Sequence, residues 1–255
     1  MLMKLWFYAF FMSWGMFLSI PCPFRKWDER ARGRMLACLP LIGLMIGALW
    51  ALAAFLLGHF ACPKPFATFV LAMLPFLLTG FLHLDGFSDV CDAILSRRDL
   101  ETRRRILKDP HIGAFGAICI VILLIAQFSI FLSGGAHALS FTALLPLALI
   151  PVASRACAAI AVTLVKPMET SQYSGMDKES AKKHLALPIL LLAASAALSI
   201  VFCGLHGIAP IVTAVFYALF ALRGCVNLNG MNGDVSGYAL TLGELFGIAV
   251  FVLIK

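Results

Sequence analysis

"IGAFGAICIVILLIAQFSIFLS", residues 112–133, contains no charged side chain. It is long enough to cross the hydrocarbon core of a bilayer, which takes about 20 apolar residues as a helix. Six further blocks share that character, at 36–58, 65–82, 139–164, 186–203, 207–223 and 238–254. Together they make 62% of the 255 residues hydrophobic and raise the mean hydropathy to +0.96. A soluble domain of this size must still cover itself with a wettable surface, so the surplus cannot be an oversized core. The expectation is an all-α, polytopic integral membrane protein with about seven or eight transmembrane or interfacial helices. No internal repeat, low-complexity tract or domain boundary is visible, so residues 1–255 read as one membrane-embedded domain.

Met1 to Ile20 has the outline of a secretion signal, with Lys4 ahead of an apolar stretch. Trp6, Phe7, Tyr8 and Trp14 suit a membrane interface instead, and no small-x-small cleavage site follows. This segment reads as a retained first helix, spanning or lying partly in the interface. The eight cysteines include no C-x-x-C pair, and several fall inside apolar blocks. They read as small apolar side chains rather than as a disulfide or zinc framework.

The polar connections alternate in character. Residues 21–35 hold Arg25, Lys26, Arg30, Arg32 and Arg34; 83–111 hold Arg97, Arg98, Arg103, Arg104, Arg105 and Lys108; 165–185 hold Lys166, Lys178, Lys182 and Lys183. The intervening "GHFACPKP", "SGGAHA" and "CGLHG" are short and nearly uncharged. By the positive-inside rule, 21–35, 83–111, 165–185 and 224–237 face the cytoplasm. The formal net charge of +7 is therefore mainly an orientation signal, and nucleic acid is excluded as a partner.

Against this apolar background stands "HLDGFSDVCDAI", residues 83–94. Asp85, Asp89 and Asp92 are spaced by four and three, which puts all three on one helix face. Like charges so placed repel, and a divalent cation removes that penalty; Mg²⁺ takes carboxylates and completes its shell with water and substrate phosphate. A solvated helix start near the membrane boundary explains one or two acids but poorly explains three on one face.

Nearby, "SRRDLETRRRILKDPHIGAFG", residues 96–116, offers Arg103, Arg104, Arg105 and Lys108 as a phosphate-binding face, unless their duty is topology alone. Gly113 and Gly116 allow close backbone approach. "NLNGMNGDVSGYALTLGEL", residues 227–245, reads as a polar loop in which Asp234 is either a further metal or substrate ligand or a turn aspartate. Glu244 and Arg155 lie inside apolar blocks, where ionisable groups are expensive. They are either substrate-facing or a structural ion pair. His83 and His111 flank these motifs; His59, His137, His206 and His184 need no functional reading.

"FLHLDGFSDVCDAI" followed by "RRRILKDPHIGAFG" resembles the cobalamin synthase family, with patterns like H-x-D-G-x-x-D-x-x-D-G and K-D-x-x-I-G-x-F-G. "FLSIPCP" (17–23), "PLIGLMIG" (40–47), "PVASRACA" (151–158) and "NGMNGDVSGY" (229–238) fall in the same order, so the resemblance covers essentially the whole chain. Ala93 stands where that family usually has glycine, His111 at a position often held by arginine, and "FLSIPCP" lacks the usual Thr-Arg pair. These departures bear on fine specificity.

The resemblance implies Mg²⁺-dependent transfer of adenosylcobinamide phosphate from adenosylcobinamide-GDP to α-ribazole or its 5′-phosphate, with release of GMP, at the cytoplasmic face of a bacterial or archaeal inner membrane. The expected metal ligands are Asp85, Asp89 and Asp92. The expected catalytic groups are Asp92, as base, with Asp89 and Lys108; substrate contacts fall to His83, Arg104, Arg105, Asp109, His111, Asn232 and Asp234. The lipid bilayer is a partner, and both an oligomer and an assembly with other cobalamin-assembly enzymes are compatible with it. Competing readings are a prenyltransferase, whose D-x-x-x-D is matched by "DGFSD"; a CDP-alcohol phosphotransferase, whose D-G-x-x-A-R fails at Ser88 and Asp89; and an ion-coupled transporter using Arg155 and Glu244.

Overall fold

In hydrocarbon a chain must satisfy its own backbone groups, so each apolar block becomes a helix. A computed structural model of the chain describes residues 2–134, 142–169, 171 and 178–254. His137 and the start of the 139–164 block lie outside these residues. The helices are α1 (Leu2–Phe17), α2 (Arg32–Met35), α3 (Leu39–His59), α4 (Lys64–Leu78), α5 (Leu82–Leu95) and α6 (Leu100–Ile106). They continue as α7 (Ala114–Ser133), α8 (Leu145–Leu164), α9 (Lys178–Lys182), α10 (Ala186–Cys203), α11 (Ala209–Leu228) and α12 (Gly233–Leu253). Six helical segments are long and apolar enough to span: Glu29–His59, which runs through α2 and α3, together with α7, α8, α10, α11 and α12. A seventh is added if α4 and α5 form one bent span. No strand occurs among the described residues. A single parallel bridge joins Pro167 to Met231.

The 16-residue α1 is about 24 Å long at ~1.5 Å per residue, short of a straight crossing of a core ~30 Å thick. It packs through Tyr8, Ala9 and Met12 on Ala31, Met35 and Cys38. None of the eight cysteines is disulfide-bonded.

α8 and α12 form the centre, with 72% and 61% of their spanning windows buried, whereas α7 and α10, at 17% each, face outward. Close crossings hold the centre together. Gly43 and Gly47 of α3 lie against the backbone of Pro151 and Ala148 of α8, and Gly243 and Gly247 of α12 lie against α11 at Thr213 and Tyr217. Small residues four apart let helix backbones meet where lipid supplies no hydrophobic drive.

Two expectations are corrected. The 65–82 block does not end as a straight span: α4 stops at Leu78 and the chain turns by 89° into α5. Gly80 and Phe81 take left-handed backbone conformations there (φ +58° and +61°). Ser19 braces the exposed end of α4, its amide donating to the Leu78 carbonyl (2.8 Å) and its hydroxyl to that of Leu77 (2.7 Å). Nor is 224–237 an open loop. α11 runs on to Leu228 and α12 begins at Gly233, leaving Asn229–Asn232 as the whole connection. Polar residues in both helix ends gave the appearance of a loop.

The three basic connections and the 224–237 segment come together at one end. Arg103 and Arg104 of α6 hold the end of α11; Met168 and Lys166 exchange backbone hydrogen bonds with Met231 (2.9 Å each). Gly33 packs on Ser180 and Ala181, and Trp6 on His184 (5.3 Å between rings).

Candidate active site

At 100° per residue Asp85, Asp89 and Asp92 fall within about 60° of one another around α5. Their surroundings differ: Asp85 is exposed, Asp89 half-buried and Asp92 buried, because α7 closes over the far end of the face. The start of α7 is what Asp92 meets. Its two carboxylate oxygens accept from the amides of Gly113 (2.8 Å) and Gly116 (2.9 Å). These amides belong to the first turn of α7, whose orphan donors and positive dipole end suit a carboxylate. Gly113 and Gly116 are required there, since a Cβ on either would overlap the Asp92 carboxylate, and at Gly116 the Ser88 hydroxyl as well. The close approach anticipated for both glycines is present.

A fourth carboxylate joins from α12. Gly86 lies so close to α12 that a Cβ would sit 2.8 Å from the Cα of Asp234, which brings Asp234 beside the acidic face. Asp89 is partly shielded from water, and the charges of Asp85, Asp234 and Asp92 all act on it. Asp234 stands in the first turn of α12. Its Oδ2 accepts from Asn232 Nδ2 (2.6 Å), while Asn232 Oδ1 caps the helix by accepting from the Val235 amide (2.8 Å). Asn232 and Asp234 are thus helix-end residues rather than loop residues.

His83 sits at the start of α5, against α12. A Cβ at Gly237 would be 3.2 Å from the His83 carbonyl, which accepts from Thr241 Oγ1 (3.3 Å). The ring stacks on Phe17 (6.5 Å), and its Nε2 is buried with no hydrogen-bond partner. A buried polar atom in this state calls for a partner, whether a water, an ion or a bound group.

The basic motif divides in two. Arg104 is committed to the end of α11, Nε donating to the Leu228 carbonyl (3.1 Å) and Nη2 to that of Asn229 (3.1 Å). Arg103 does the same through Asn227 Oδ1 (3.0 Å). Cations at a helix C-terminus satisfy its orphan carbonyls and its dipole. Arg105 and Lys108 are exposed, and their side chains hold no hydrogen bond or ion pair with any described residue. Asp109 and His111 pair with each other: the His111 amide (3.0 Å) and Nδ1 (2.7 Å) meet Asp109 Oδ1. The His111 amide and ring hold the Asp109 carboxyl below the usual carboxylate range. Both lie in the exposed turn that delivers Gly113 to Asp92.

Glu244 and Arg155 are settled by geometry. Arg155 donates to Glu244 within the bundle core, Ser154 Oγ donates to the same Glu244 oxygen (2.7 Å), and both charged groups are buried. They form a buried ion pair.

Among the described residues no three Asp, Glu, His or Cys side chains converge closely enough to cage a metal by themselves. The donor set still fits Mg²⁺, which prefers carboxylate oxygens and takes only one or two of them beside water and substrate phosphate. Asp85 and Asp89 carry oxygens that no described donor occupies, in a cluster of four carboxylates. Sequence reasoning missed Ser19, Gly86, Gly237 and Thr241. The Asp-Gly pair at 85–86 was the available signal for the α5–α12 contact, because a glycine inside a helix implies a close neighbour.

Comparison with known proteins adds the family context. Residues 9–252 match a protein family described as Cobalamin-5-phosphate synthase. The adenosylcobinamide-GDP ribazoletransferase of Clostridium perfringens (strain 13 / Type A) is 37% identical over 254 residues, covering 99% of this chain and 100% of that protein. The proteins of that name from Clostridium botulinum (strain Alaska E43 / Type E3) and Citrobacter koseri are 37% and 30% identical over 250 and 251 residues. They align with 96% and 92% of this chain and over 97% and 96% of their own lengths. No solved structure gives a significant match.

Proposed function

The chain belongs to the cobalamin-5-phosphate synthase family, and on that premise we propose how its site works. It is a multi-pass membrane enzyme of cobalamin synthesis, an adenosylcobinamide-GDP ribazoletransferase. The family match sets aside the prenyltransferase, CDP-alcohol phosphotransferase and transporter readings. In the reaction, a ribose hydroxyl of α-ribazole, or of its 5′-phosphate, attacks the phosphorus nearest the cobinamide. A phosphodiester forms, the bond from that phosphorus to the GMP moiety breaks, and the hydroxyl loses its proton.

The observation that carries the reading is the meeting of Asp85, Asp89, Asp92 and Asp234 at the crossing of α5 and α12, with Arg105 and Lys108 exposed nearby in sequence. Asp85 and Asp89, with Asp234 beside them, would hold Mg²⁺. That ion, when bound, neutralises the diphosphate and the charge developing on GMP. Lys108 and Arg105 bind the guanosine-side phosphate, and positioned cations of this kind favour departure of the leaving group. Asp89 would bind the metal through one oxygen and receive the proton of the attacking hydroxyl on the other, since no described donor occupies either. Asp92 serves by positioning: with both oxygens occupied by amides it fixes α7 against the acidic face. His83 Nε2 offers one further polar contact to substrate. The site faces the cytoplasm, where nucleotide substrates are supplied.

Purified protein in lipid, given adenosylcobinamide-GDP, α-ribazole and Mg²⁺, is expected to release GMP; none from folded protein overturns the assignment. Asp89→Asn is expected to abolish GMP release while inserting normally. Asp85→Asn is expected to raise the Mg²⁺ concentration needed for half-maximal rate. A wild-type rate for Asp89→Asn removes the role given to that carboxylate.

A further inference from the structure

On the side of α5 opposite its carboxylates lies a cavity of about 260 Å³ that plays no part in the site described above. Its walls are apolar: Phe87 and Cys91 from α5, Ile122 and Ala126 from α7, Tyr238 and Leu245 from α12. It opens toward the outside of the bundle, where Ile122 is 61% exposed. The polar element at this opening is Arg223 of α11, five residues before the end of that helix. No salt bridge or hydrogen bond among the described residues engages its guanidinium, although its charge reaches Cys91 and Tyr238. Arg97 and Arg98 lie exposed on the turn that follows Leu95, another lining residue.

Depth fits a lipid. Cys119 and Tyr238 stand five residues into α7 and α12, and Ala126 and Leu245 twelve, so the groove extends roughly 7 to 18 Å below the ends of these helices at ~1.5 Å per residue. That interval lies largely within one leaflet of a core ~30 Å thick. An arginine near a helix end reaches the headgroup layer with its guanidinium while its stem stays in apolar surroundings.

We propose that this groove is a binding site for one anionic glycerophospholipid of the cytoplasmic leaflet, an acyl chain lying between α5, α7 and α12 and the phosphate on Arg223. The charge is complementary, since an acyl groove that took only neutral lipid would not need an unpaired cation at its mouth. The lipid supports α5 from beneath, on the face that the acidic residues do not use. This site is independent of the catalytic reading, and a transferase of another specificity would keep it.

The test uses full-length protein purified in mild detergent, stripped of lipid and returned to phosphatidylglycerol or phosphatidylcholine, with native mass spectrometry of retained lipid and thermal unfolding as readouts. Wild-type protein is expected to retain one phosphatidylglycerol in preference to phosphatidylcholine and to gain thermal stability from it. Arg223→Gln, a surface change, is expected to lose the preference at least tenfold while keeping its fold. Ala126→Trp, which fills the groove, is expected to lose retention of both lipids with Arg223 intact. Equal phosphatidylglycerol retention by wild type and Arg223→Gln overturns the proposal. So does a dimer that covers the groove in place of lipid, or displacement of the lipid by adenosylcobinamide-GDP.

Discussion

Asp92 shows how far a side chain's role depends on what it touches. Its spacing from Asp85 and Asp89 is that of a third ligand, yet its oxygens are taken by two amides of α7. Gly116→Ala therefore pushes a methyl group into both Asp92 and Ser88, at a cost of about 1–3 kcal/mol from overpacking. A lowered unfolding temperature together with lost GMP release would be the signature, and unchanged values for both would contradict the contact. Arg155 and Glu244 make a second case. Glu244→Ala leaves a buried guanidinium unpaired and is expected to cost about 3–5 kcal/mol, whereas Arg155→Met with Glu244→Leu recovers most of it. Unfolding of the single and double variants in one detergent measures this; equal losses in both would mean the charges are used for something other than structure.

Among the elements, α6 is the one whose two faces have different duties. Asp99 caps it by accepting from the Thr102 amide (2.9 Å), and its arginines reach across to the last carbonyls of α11. Arg104→Ala is expected to lower stability by about 1 kcal/mol or more through lost hydrogen bonds. Lys108→Ala should leave stability unchanged and raise KM for adenosylcobinamide-GDP. Steady-state kinetics beside thermal unfolding separates the two, and the opposite pattern would exchange their roles. The helices themselves were legible wherever charge was absent, as at 112–133, because hydrocarbon leaves an apolar backbone no other solution. Two features were not legible. The bend at Gly80–Phe81 depends on left-handed backbone in an ordinary apolar run, and the helix ends around Asn227 and Asp234 carry the polar composition of a loop. The acidic face was readable from its spacing. The arrival of Asp234 was not, because it depends on a crossing of α5 with α12 that only the folded bundle sets at Gly86.

For the molecule as a whole, the three basic connections gather at one end with the 224–237 segment, which agrees with the alternation of charge along the chain. In a background lacking other cysteines, Cys62 is expected to react with an impermeant maleimide from outside intact cells. Glu101→Cys, exposed on α6, should react only after the membrane is opened. The reverse pattern would invert the orientation and move the site to the other side. The same end is also stitched together by backbone, through the pairing of Met231 with Lys166 and Met168.

The 89° turn between α4 and α5 has a geometric consequence for the chemistry. Had α4 continued straight through residue 92, the seven-residue interval from Asp85 would have staggered its acids over roughly 10 Å of depth, at ~1.5 Å per residue. Turned away from α4, the helix instead leaves Asp85 and Asp89 open toward the polar end of the bundle while Asp92 turns in against α7. A diphosphate arriving from water would then meet the two outer carboxylates without any part of it descending into oil.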